Sequence, residues 1–214
     1  MSTAASNIQL RAFVFLDSLQ PQLAGYMATT SRGYPPIGGQ ASLWVEIAPG
    51  IAINKVTDVA MKSTAVRPAV QVVERAFGVL EVHANDQGEV LEAGDQVLRY
   101  LGRDATQRLK PKIVSREIIT NVDPYQSMLI NRMRFGNMLL AGEALYILEV
   151  HPAAYAVLAA NEAEKASPIN LIEVRPIGSF GRLYLGGTET HIEEAARAAE
   201  QALGSIDGLP NDGK

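Results

Sequence analysis

Two adjacent charged residues, Glu74 and Arg75, have the type and spacing that a switchable electrostatic contact requires. A carboxylate and a guanidinium about 4 Å apart attract each other by roughly 4 kcal/mol at an effective dielectric of about 20, before desolvation. Two arrangements of such a pair can differ by only a few kcal/mol, so the pair could alternate between two states. The plainer alternative is a solvated ion pair at a strand edge, which contributes about 0–1 kcal/mol.

The other residues that could do chemistry do not form a catalytic or metal-binding set. His191 and Glu194 share one face of a predicted helix and could bind a metal ion, but no further ligand is evident and a solvated face is the better interpretation. His83 and His151 lie at the ends of predicted strands without evident partners. The absence of cysteine excludes thiolate zinc sites, cysteine-ligated iron–sulfur clusters and a cysteine nucleophile. We therefore expect no catalytic residues, no metal and no cofactor.

The glycine-rich segment from Ile177 to Gly181 resembles a phosphate-binding loop only superficially. It lacks the G-x-G-x-x-G spacing and no lysine follows it, so a nucleotide site is not indicated. Glycines also serve ordinary tight turns. Phe180 in this segment and Phe77 near Glu74 occupy equivalent places in the two halves of the chain, and we expect both to pack beneath their loops.

The chain is a tandem repeat, because similar residues recur at a constant offset of 103 positions. The matching pairs are Pro49 with Pro152, Ala60 with Ala163, Lys62 with Lys165, Phe77 with Phe180 and Gly78 with Gly181. The sharpest divergence places Glu74 and Arg75 of the first copy opposite Ile177 and Gly178 of the second. Charge facing an apolar residue and a glycine, within a shared scaffold, marks this place as the candidate functional site.

Composition limits the partners of the chain. Its 214 residues suit two domains of roughly 100 residues each, as the repeat indicates. The formal net charge is −4 and there is no basic tract, so we expect no nucleic-acid partner. No apolar run approaches the roughly 20 residues of a spanning helix, and the N-terminal residues lack the pattern of a signal peptide. We expect a soluble, cytoplasmic protein without a membrane partner.

Hydrophobic periodicity and turn residues predict nearly the same order of elements in both copies. Strands are predicted at 10–16, 42–47, 114–119, 144–150, 171–174 and 182–185, with two more between 70 and 82 that bend around Arg75 to Gly78. Helices are predicted at 19–30, 52–63, 86–101, 153–166 and 189–203, with a turn at Asp123-Pro124, a linker at 103–112 and a disordered tail from 206. Mostly antiparallel strands with two or three helices in each copy indicate an α+β sandwich.

The predicted helix at 153–166 contains seven alanines and few large side chains. Small residues allow a neighbouring backbone to approach closely, so this helix could pack tightly within the domain or against another subunit. The alternative is a plain helix of high intrinsic propensity on a small domain.

The order of these motifs resembles a known family. The helix-borne Ala-x-Lys at 60–62 and 163–165, with the Ile-Gly-Ser loop at 177–179, resembles bacterial microcompartment (BMC) shell domains. The runs at 10–23, 73–78 and 159–165 resemble more closely the tandem, circularly permuted subgroup typified by a carboxysome shell trimer. The similarity extends from Ile8 to about Ile206. Each motif is short, but their order at one repeat offset is specific.

The resemblance implies an α+β fold of two tandem BMC-like, ferredoxin-like and permuted sandwich repeats, at residues 8–105 and 112–206. It implies a structural, non-enzymatic shell protein of a bacterial microcompartment in the cytoplasm. Three chains would form a homotrimer that mimics a hexagon, and a dimer of trimers is a further feature of the subgroup. Such trimers tile into facets beside other shell proteins, both hexamers and pentamers, and carry a gated central pore for metabolites.

The resemblance also assigns residues. Glu74 and Arg75 would form the pore gate, and the matching loop of the second repeat would contribute Ile177, Gly178 and Ser179 to the pore. The tiling contacts would come from Lys62 and Lys165. For these lysines the alternative is a cation that favours the dipole at a helix end.

Two alternatives to a shell protein remain open at this stage. One is a trimeric small-molecule-sensing protein with an effector site between the repeats. The other is an enzyme that uses the cleft between subunits, for which the sequence supplies no defensible nucleophile, base or metal set. Ordered two-dimensional layers would distinguish a shell protein from a sensor, because a sensor has no reason to tile.

Overall fold

The computed structural model describes residues 7–213, which form eight strands and six α-helices. The first repeat contains β1 (Gln9–Leu16), α1 (Pro21–Thr30), β2 (Ala41–Ala48), α2 (Ile53–Ser63), β3 (Arg67–Glu74), β4 (Phe77–Ala84) and α3 (Gln87–Leu101). The second contains β5 (Lys112–Ile119), α4 (Pro124–Met133), β6 (Ala144–His151), α5 (Tyr155–Ala166), β7 (Asn170–Arg175), β8 (Gly181–Gly187) and α6 (Glu189–Gly204). The first six residues, on which the expectation of no signal peptide rests, and Lys214 at the end of the tail lie outside the described residues.

Each repeat builds one four-stranded antiparallel sheet, and the two sheets have the same topology. The strand orders are β1-β2-β4-β3 and β5-β6-β8-β7. Three elements of the first repeat, β1, α1 and β2, have counterparts in the second repeat, β5, α4 and β6. Their first and last residues are each offset by the 103 positions found in the sequence. The predicted α+β fold of two tandem repeats is confirmed.

The central strand β2 is buried on both faces, which explains its nearly continuous apolar sequence. Leu43, Val45 and Ile47 face the core beneath α2 and α3. Trp44 on the opposite face belongs to a core that extends into the second repeat. The sheet of the first repeat is therefore covered on one face by its own helices and on the other face by residues of the second repeat.

Helix α4 corrects the sequence interpretation, which placed only a turn at Asp123-Pro124. Asp123 caps this helix by accepting a hydrogen bond from the backbone of Tyr125 at 2.8 Å, and Pro124 occupies its first turn. Four large apolar side chains of α4, Tyr125, Met128, Leu129 and Met133, are exposed, Ile130 is partly buried, and Ser127 is the only buried residue of the helix. The helix therefore lacks the apolar stripe by which helices are recognised in a sequence.

The C-terminal tail is ordered, contrary to the predicted disorder. Leu209 pairs with Leu109 of the linker, and the side-chain amide of Asn211 donates to the carbonyls of Lys110 and His151 at 2.7 and 2.9 Å. The composition of Gly, Pro, Asn and Asp was misleading because hydrogen bonds to the linker, rather than apolar burial, hold this segment.

The alanine-rich helix α5 joins the two repeats. All of its residues from 155 to 161 are buried, and it packs against α6 and against α1 and β1 of the first repeat. Of the two packing modes considered from the sequence, the structure therefore shows tight packing within the chain. Glu164 of α5 accepts hydrogen bonds from the backbone of Gln22 and Leu23, at 2.8 and 3.0 Å, and so caps α1 from the other repeat.

The helices also bear on membrane association. Within residues 7–213, no helix is both long and apolar enough to cross a membrane.

Candidate functional site

The two loops singled out by the divergence between the repeats line one cavity of about 600 Å³. The sequence-predicted residues that the structure brings together here are Glu74, Arg75, Ile177, Gly178 and Ser179. The first two lie in the hairpin between β3 and β4, and the others lie between β7 and β8. The chain therefore places a charged loop and an uncharged loop side by side.

The first loop is a hairpin whose turn residues are Arg75 and Ala76. Arg75 has a φ of +53°, a left-handed conformation that costs a residue with a side chain roughly 1–2 kcal/mol. Its side chain is 92% exposed, and its Nε lies 3.9 Å from a carboxylate oxygen of Glu74. In a single chain this contact is a loose surface ion pair that contributes about 0–1 kcal/mol. Any stronger electrostatic role requires further charges brought close by assembly.

The second loop has a different construction. Gly178 has a φ of +114°, which glycine adopts without penalty. Ile177 is partly buried against the core that both repeats share, and Ser179 is exposed. This loop thus presents a small polar surface and is anchored by an apolar side chain.

Both loops lie directly on the backbone that precedes α2 and α5. A Cβ at Gly78 would lie 2.3 Å from the carbonyl oxygen of Gly50, and one at Gly181 would lie 2.2 Å from that of Ala153. No side chain fits such gaps, so these positions require glycine. The amide of Gly50 also donates to the carbonyl of Ala76 at 2.8 Å, which ties the first loop to the start of its helix.

The phenylalanines that follow the loops contact a buried polar network. The guanidinium of Arg11 lies 3.7 Å from the centroid of the Phe77 ring, a cation–π contact. Phe180 meets the ring of His151 edge-on, with centroids 6.1 Å apart. Arg11 in turn donates to Glu46 and to His151, in each case over 2.8 Å.

This network was not predicted, although the sequence contains a signal for it. Arg11 and Glu46 are the only charged residues of two mostly apolar strands, and a charged residue in such a strand needs a buried partner. His83 also has a partner that the sequence did not reveal, because its Nδ1 lies 3.2 Å from a carboxylate oxygen of Glu81.

Two further arginines reach the cavity and were not predicted. Arg175 pairs with Glu173, and Arg182 pairs with Glu149 at 2.7 Å. They come from the ends of β7 and β8, whose position beside the hairpin becomes evident only in three dimensions. Basic side chains therefore outnumber acidic ones in the lining.

Lys62 and Lys165 occupy the last turns of α2 and α5 but have unequal surroundings. Lys62 pairs with Asp58 of its own helix at 2.6 Å, and its side chain is 76% exposed. Lys165 pairs with Glu162 at 2.9 Å and with Asp17 of the first repeat at 3.0 Å, and its side chain is 32% exposed. Neither lysine is part of the lining of the loop cavity.

A larger cleft of about 870 Å³ lies between the repeats. Its walls include Tyr26, Trp44, Val70, Val157 and Val174. The indole Nε1 of Trp44 is buried without a hydrogen-bond partner, and burial raises the pKa of Tyr26 to about 12. No group of three or more His, Cys, Asp or Glu residues that could hold a metal occurs in the part of the chain that the structure describes.

Two permuted α+β repeats in one chain, with paired loops around one cavity, define a tandem BMC-domain shell protein, and comparison with known proteins supports this class. The model of the CsoS1D N-terminal domain matches residues 10–107. The carboxysome shell protein CcmP of Synechococcus elongatus is 56% identical over 96% of this chain and 97% of its own length. The carboxysome shell protein CsoS1D of Prochlorococcus marinus is 48% identical over 96% of this chain and 80% of its own length. The chain belongs to this family of carboxysome shell proteins.

Solved structures agree with this assignment. The fused permuted hexameric shell protein MSM0275 of the RMM microcompartment superposes with a TM-score of 0.92 at 45% identity, over 94% of this chain and 99% of that one. The double-ringed trimeric shell protein MSM0271 of the same microcompartment gives a TM-score of 0.92 at 37% identity, over 96% and 100% of the two chains. The predicted structural role in a microcompartment shell is confirmed, and the protein is not an enzyme.

Proposed function

We propose that three copies of this chain close a pseudohexagonal ring, and that the loop cavity opens onto its central pore. The observation that carries this proposal is that one cavity contains the divergent loops of both repeats. In a ring of six repeats, the two kinds of loop alternate around the axis. Glu74 and Arg75 would then occur three times each, which gives the pore three-fold rather than six-fold electrostatics.

The contact between repeats within the chain supports one way for the ring to close. Helix α1 and strand β1 of the first repeat pack against α5 of the second. Their counterparts at the repeat offset are α4 and β5 on one side and α2 on the other. In a single chain these counterparts have no partner repeat. We infer that α4 and β5 of one protomer pack against α2 of the next.

The exposed apolar side chains support this interface. Strand β1 is buried, whereas its counterpart β5 is largely exposed. The large apolar residues exposed on these elements, or immediately before α2, are Ile51, Met61, Val114, Ile118, Tyr125, Met128, Leu129 and Met133. Clusters of exposed large apolar side chains on each of these two surfaces mark them as interaction sites. The two contacting surfaces differ, so the interface is head-to-tail. A head-to-tail interface closes a ring of three chains only if neighbouring protomers are related by one-third of a full rotation.

The ring is the unit that we place in a facet of a carboxysome-type shell, next to hexamers and pentamers of other shell proteins. Lys62 has the exposure that a tiling contact needs, and Lys165 lies at the equivalent place in the second repeat. The pore would pass small metabolites, with Arg75 as the residue that changes rotamer and Glu74 as its anchor. A second trimer stacked face to face would give the pathway two gates in series.

The cleft between the repeats favours one alternative, a sensor that binds an effector there. Its apolar walls and the unpaired indole of Trp44 suit a small molecule that offers a hydrogen-bond acceptor. This alternative also predicts a trimer, so the oligomeric state does not distinguish the two functions. Formation of ordered layers does.

Electron cryomicroscopy of layers formed by the purified protein tests the proposal. We expect three chains around each axis and the Glu74 and Arg75 side chains within a few ångströms of it. Trimers that never form layers would favour the sensor. Layers in which Glu74 and Arg75 lie on the perimeter would overturn the pore assignment but not the shell function.

A further inference from the structure

Arg11 and His151 together support both loops of the candidate pore. Arg11 belongs to β1 of the first repeat and His151 ends β6 of the second, and both residues are at most 3% exposed. Their side chains are joined by a 2.8 Å hydrogen bond. Phe77, which follows the charged loop, lies on Arg11, and Phe180, which follows the uncharged loop, lies against His151.

The hydrogen bonds determine the protonation of His151. A guanidinium can only donate, so Nε2 of His151 must accept the bond from Arg11. The remaining proton therefore resides on Nδ1, which donates to the side-chain oxygen of Asn211 at 3.0 Å. That oxygen assignment agrees with the amide nitrogen of Asn211, which donates to two backbone carbonyls. The arrangement is satisfied only while His151 is neutral.

The charges around His151 come from three strands. Arg11 lies on β1, Glu46 lies on β2 and is bonded to Arg11, and Lys112 lies on β5 directly opposite His151 in the strand register. The tail contributes Asn211, which is uncharged. Two cations and one anion thus face the imidazole, and burial together with Arg11 lowers its pKa. A proton added at Nε2 would put two donors and two positive charges where one hydrogen bond now exists.

We propose that the Arg11–His151 pair is a proton-sensitive support shared by both loops. With His151 neutral, Phe77 and Phe180 are held in place and the loops are closed against the helix starts. With His151 protonated, Arg11 stays with Glu46 and the imidazole turns away. Phe180 then loses its edge contact, and Phe77 is left on a guanidinium that has lost one of its two hydrogen bonds. The inference rests on the proposed function only in calling these loops pore loops, since the contacts themselves lie within one chain.

Hydrogen–deuterium exchange of the full-length assembled protein between pH 8 and about pH 5 tests this support. After correction for the intrinsic dependence of exchange on pH, we expect peptides that cover 74–78 and 177–181 to lose protection several-fold on acidification. His151→Gln should abolish that response. His191→Gln removes a histidine outside the network and should leave the response unchanged.

A second variant tests the inference independently, in case His151→Gln does not fold correctly. Asn211→Ala removes a hydrogen bond that raises the pKa of His151, so the midpoint of the response should move to lower pH. An unchanged midpoint, a wild-type response in His151→Gln, or a response abolished by His83→Gln instead would overturn the inference. Exchange reports on the loops wherever they lie in the assembly. Failure of this test is therefore distinguishable from a structure that places the loops away from the axis.

Discussion

Lys165 at the end of α5 donates a hydrogen bond of 3.0 Å to Asp17 and thereby joins the second repeat to the first. This hydrogen bond lowers the pKa of Asp17. Lys62 holds the same position in the first repeat, but among residues 7–213 it pairs only with Asp58 of its own helix. Two lysines that the sequence presents as equivalent therefore have different structural roles, and their variants should behave differently.

Lys62→Ala should weaken layer formation and change the free energy of unfolding by less than about 0.5 kcal/mol, because the side chain is exposed. Lys165→Ala should weaken layers and also lower the free energy of unfolding by up to about 1 kcal/mol, because it loses two ion pairs. Layer formation is followed by electron microscopy and stability by urea unfolding. Lys55→Ala is the matched control, since Lys55 pairs with the same Asp58 from one turn earlier. Layers that form as readily from Lys62→Ala as from the parent would remove this lysine from the tiling contact.

The capping of α1 and α4 gives a second prediction. Glu164 caps α1 from the second repeat, and the equivalent position in the first repeat is Met61. Helix α4 does not need such a carboxylate because Asp123 of its own chain caps it. In the proposed ring, Met61 of one protomer faces the start of α4 in the next, close to Asp123.

Met61→Glu should therefore weaken the trimer by a few kcal/mol, because two carboxylates meet at the interface. Adding Asp123→Gln should restore association, because the new carboxylate then caps α4 as Glu164 caps α1. Light scattering over a range of concentrations measures the mass against that of three 23.0-kDa chains or six. Leu91→Glu introduces the same charge on α3, outside the proposed interface, and should leave the trimer intact. A Met61→Glu trimer as tight as the parent would contradict the proposed interface.

Two substitutions at Arg75 separate its charge from its backbone. Arg75→Ala and Arg75→Gly both remove the guanidinium, so three Glu74 carboxylates would face one another and the pore should admit anions less readily. Only Arg75→Gly relieves the left-handed backbone, and it should unfold with a free energy about 1 kcal/mol higher than Arg75→Ala. Permeation of an anionic and a neutral tracer of equal size measures the first effect, and urea unfolding measures the second. Arg99→Ala, on α3, is the charge control; if it alters anion permeation equally, the effect does not belong to a gate.

The buried pair of Arg11 and Glu46 gives a prediction about stability. Arg11→Met leaves the Glu46 carboxylate buried with only a backbone donor, and loss of one partner of a buried pair costs about 3–5 kcal/mol. Adding Glu46→Gln removes the stranded charge and keeps an oxygen for the amide of Ala154, so stability should rise again. Equal destabilisation of the single and double variants, measured by urea unfolding, would show that the charge is not the cause.

Acid sensitivity should follow from His151. Because its folded pKa is lowered from the ordinary 6.5, the unfolded chain takes up a proton that the folded chain rejects. Stability is therefore complete above pH 6.5 and is lost as pH falls through that value toward the folded pKa. His151→Gln should flatten this part of the curve of unfolding free energy against pH. A slope that persists in the variant would have to come from another group.

The fold was largely predictable because most sequence patterns for strands, helices and turns occur twice, once in each repeat. Strand alternation and the Gly and Pro turns located all eight strands, and Asp86 and Gly102 located the two ends of α3, where the structure shows Gly102 in the left-handed conformation. Helix α4 was missed because most of its large apolar side chains are exposed. The repeat offset applied to Pro21 at the start of α1 would have predicted a helix beginning at Pro124.

The site was predictable only in part. The divergence between the repeats located Glu74, Arg75 and the opposite loop, since that comparison needs no structure. Arg175 and Arg182 were missed because their approach to the hairpin depends on how the second sheet lies against the first. The role of His151 was missed because its partners come from β1 and from the tail, which are remote in sequence.

The cap that Glu164 provides for α1 also determines when the first repeat can complete its fold during synthesis. It joins positions 142 residues apart, so α1 leaves the ribosome long before its partner exists. In that interval Leu23, Tyr26 and Met27 have no repeat to cover them. We expect the nascent first half to need protection by chaperones, and a chain cut after the first repeat to aggregate rather than fold alone. The second repeat thus supplies a cap and an apolar cover without which the first repeat is incomplete.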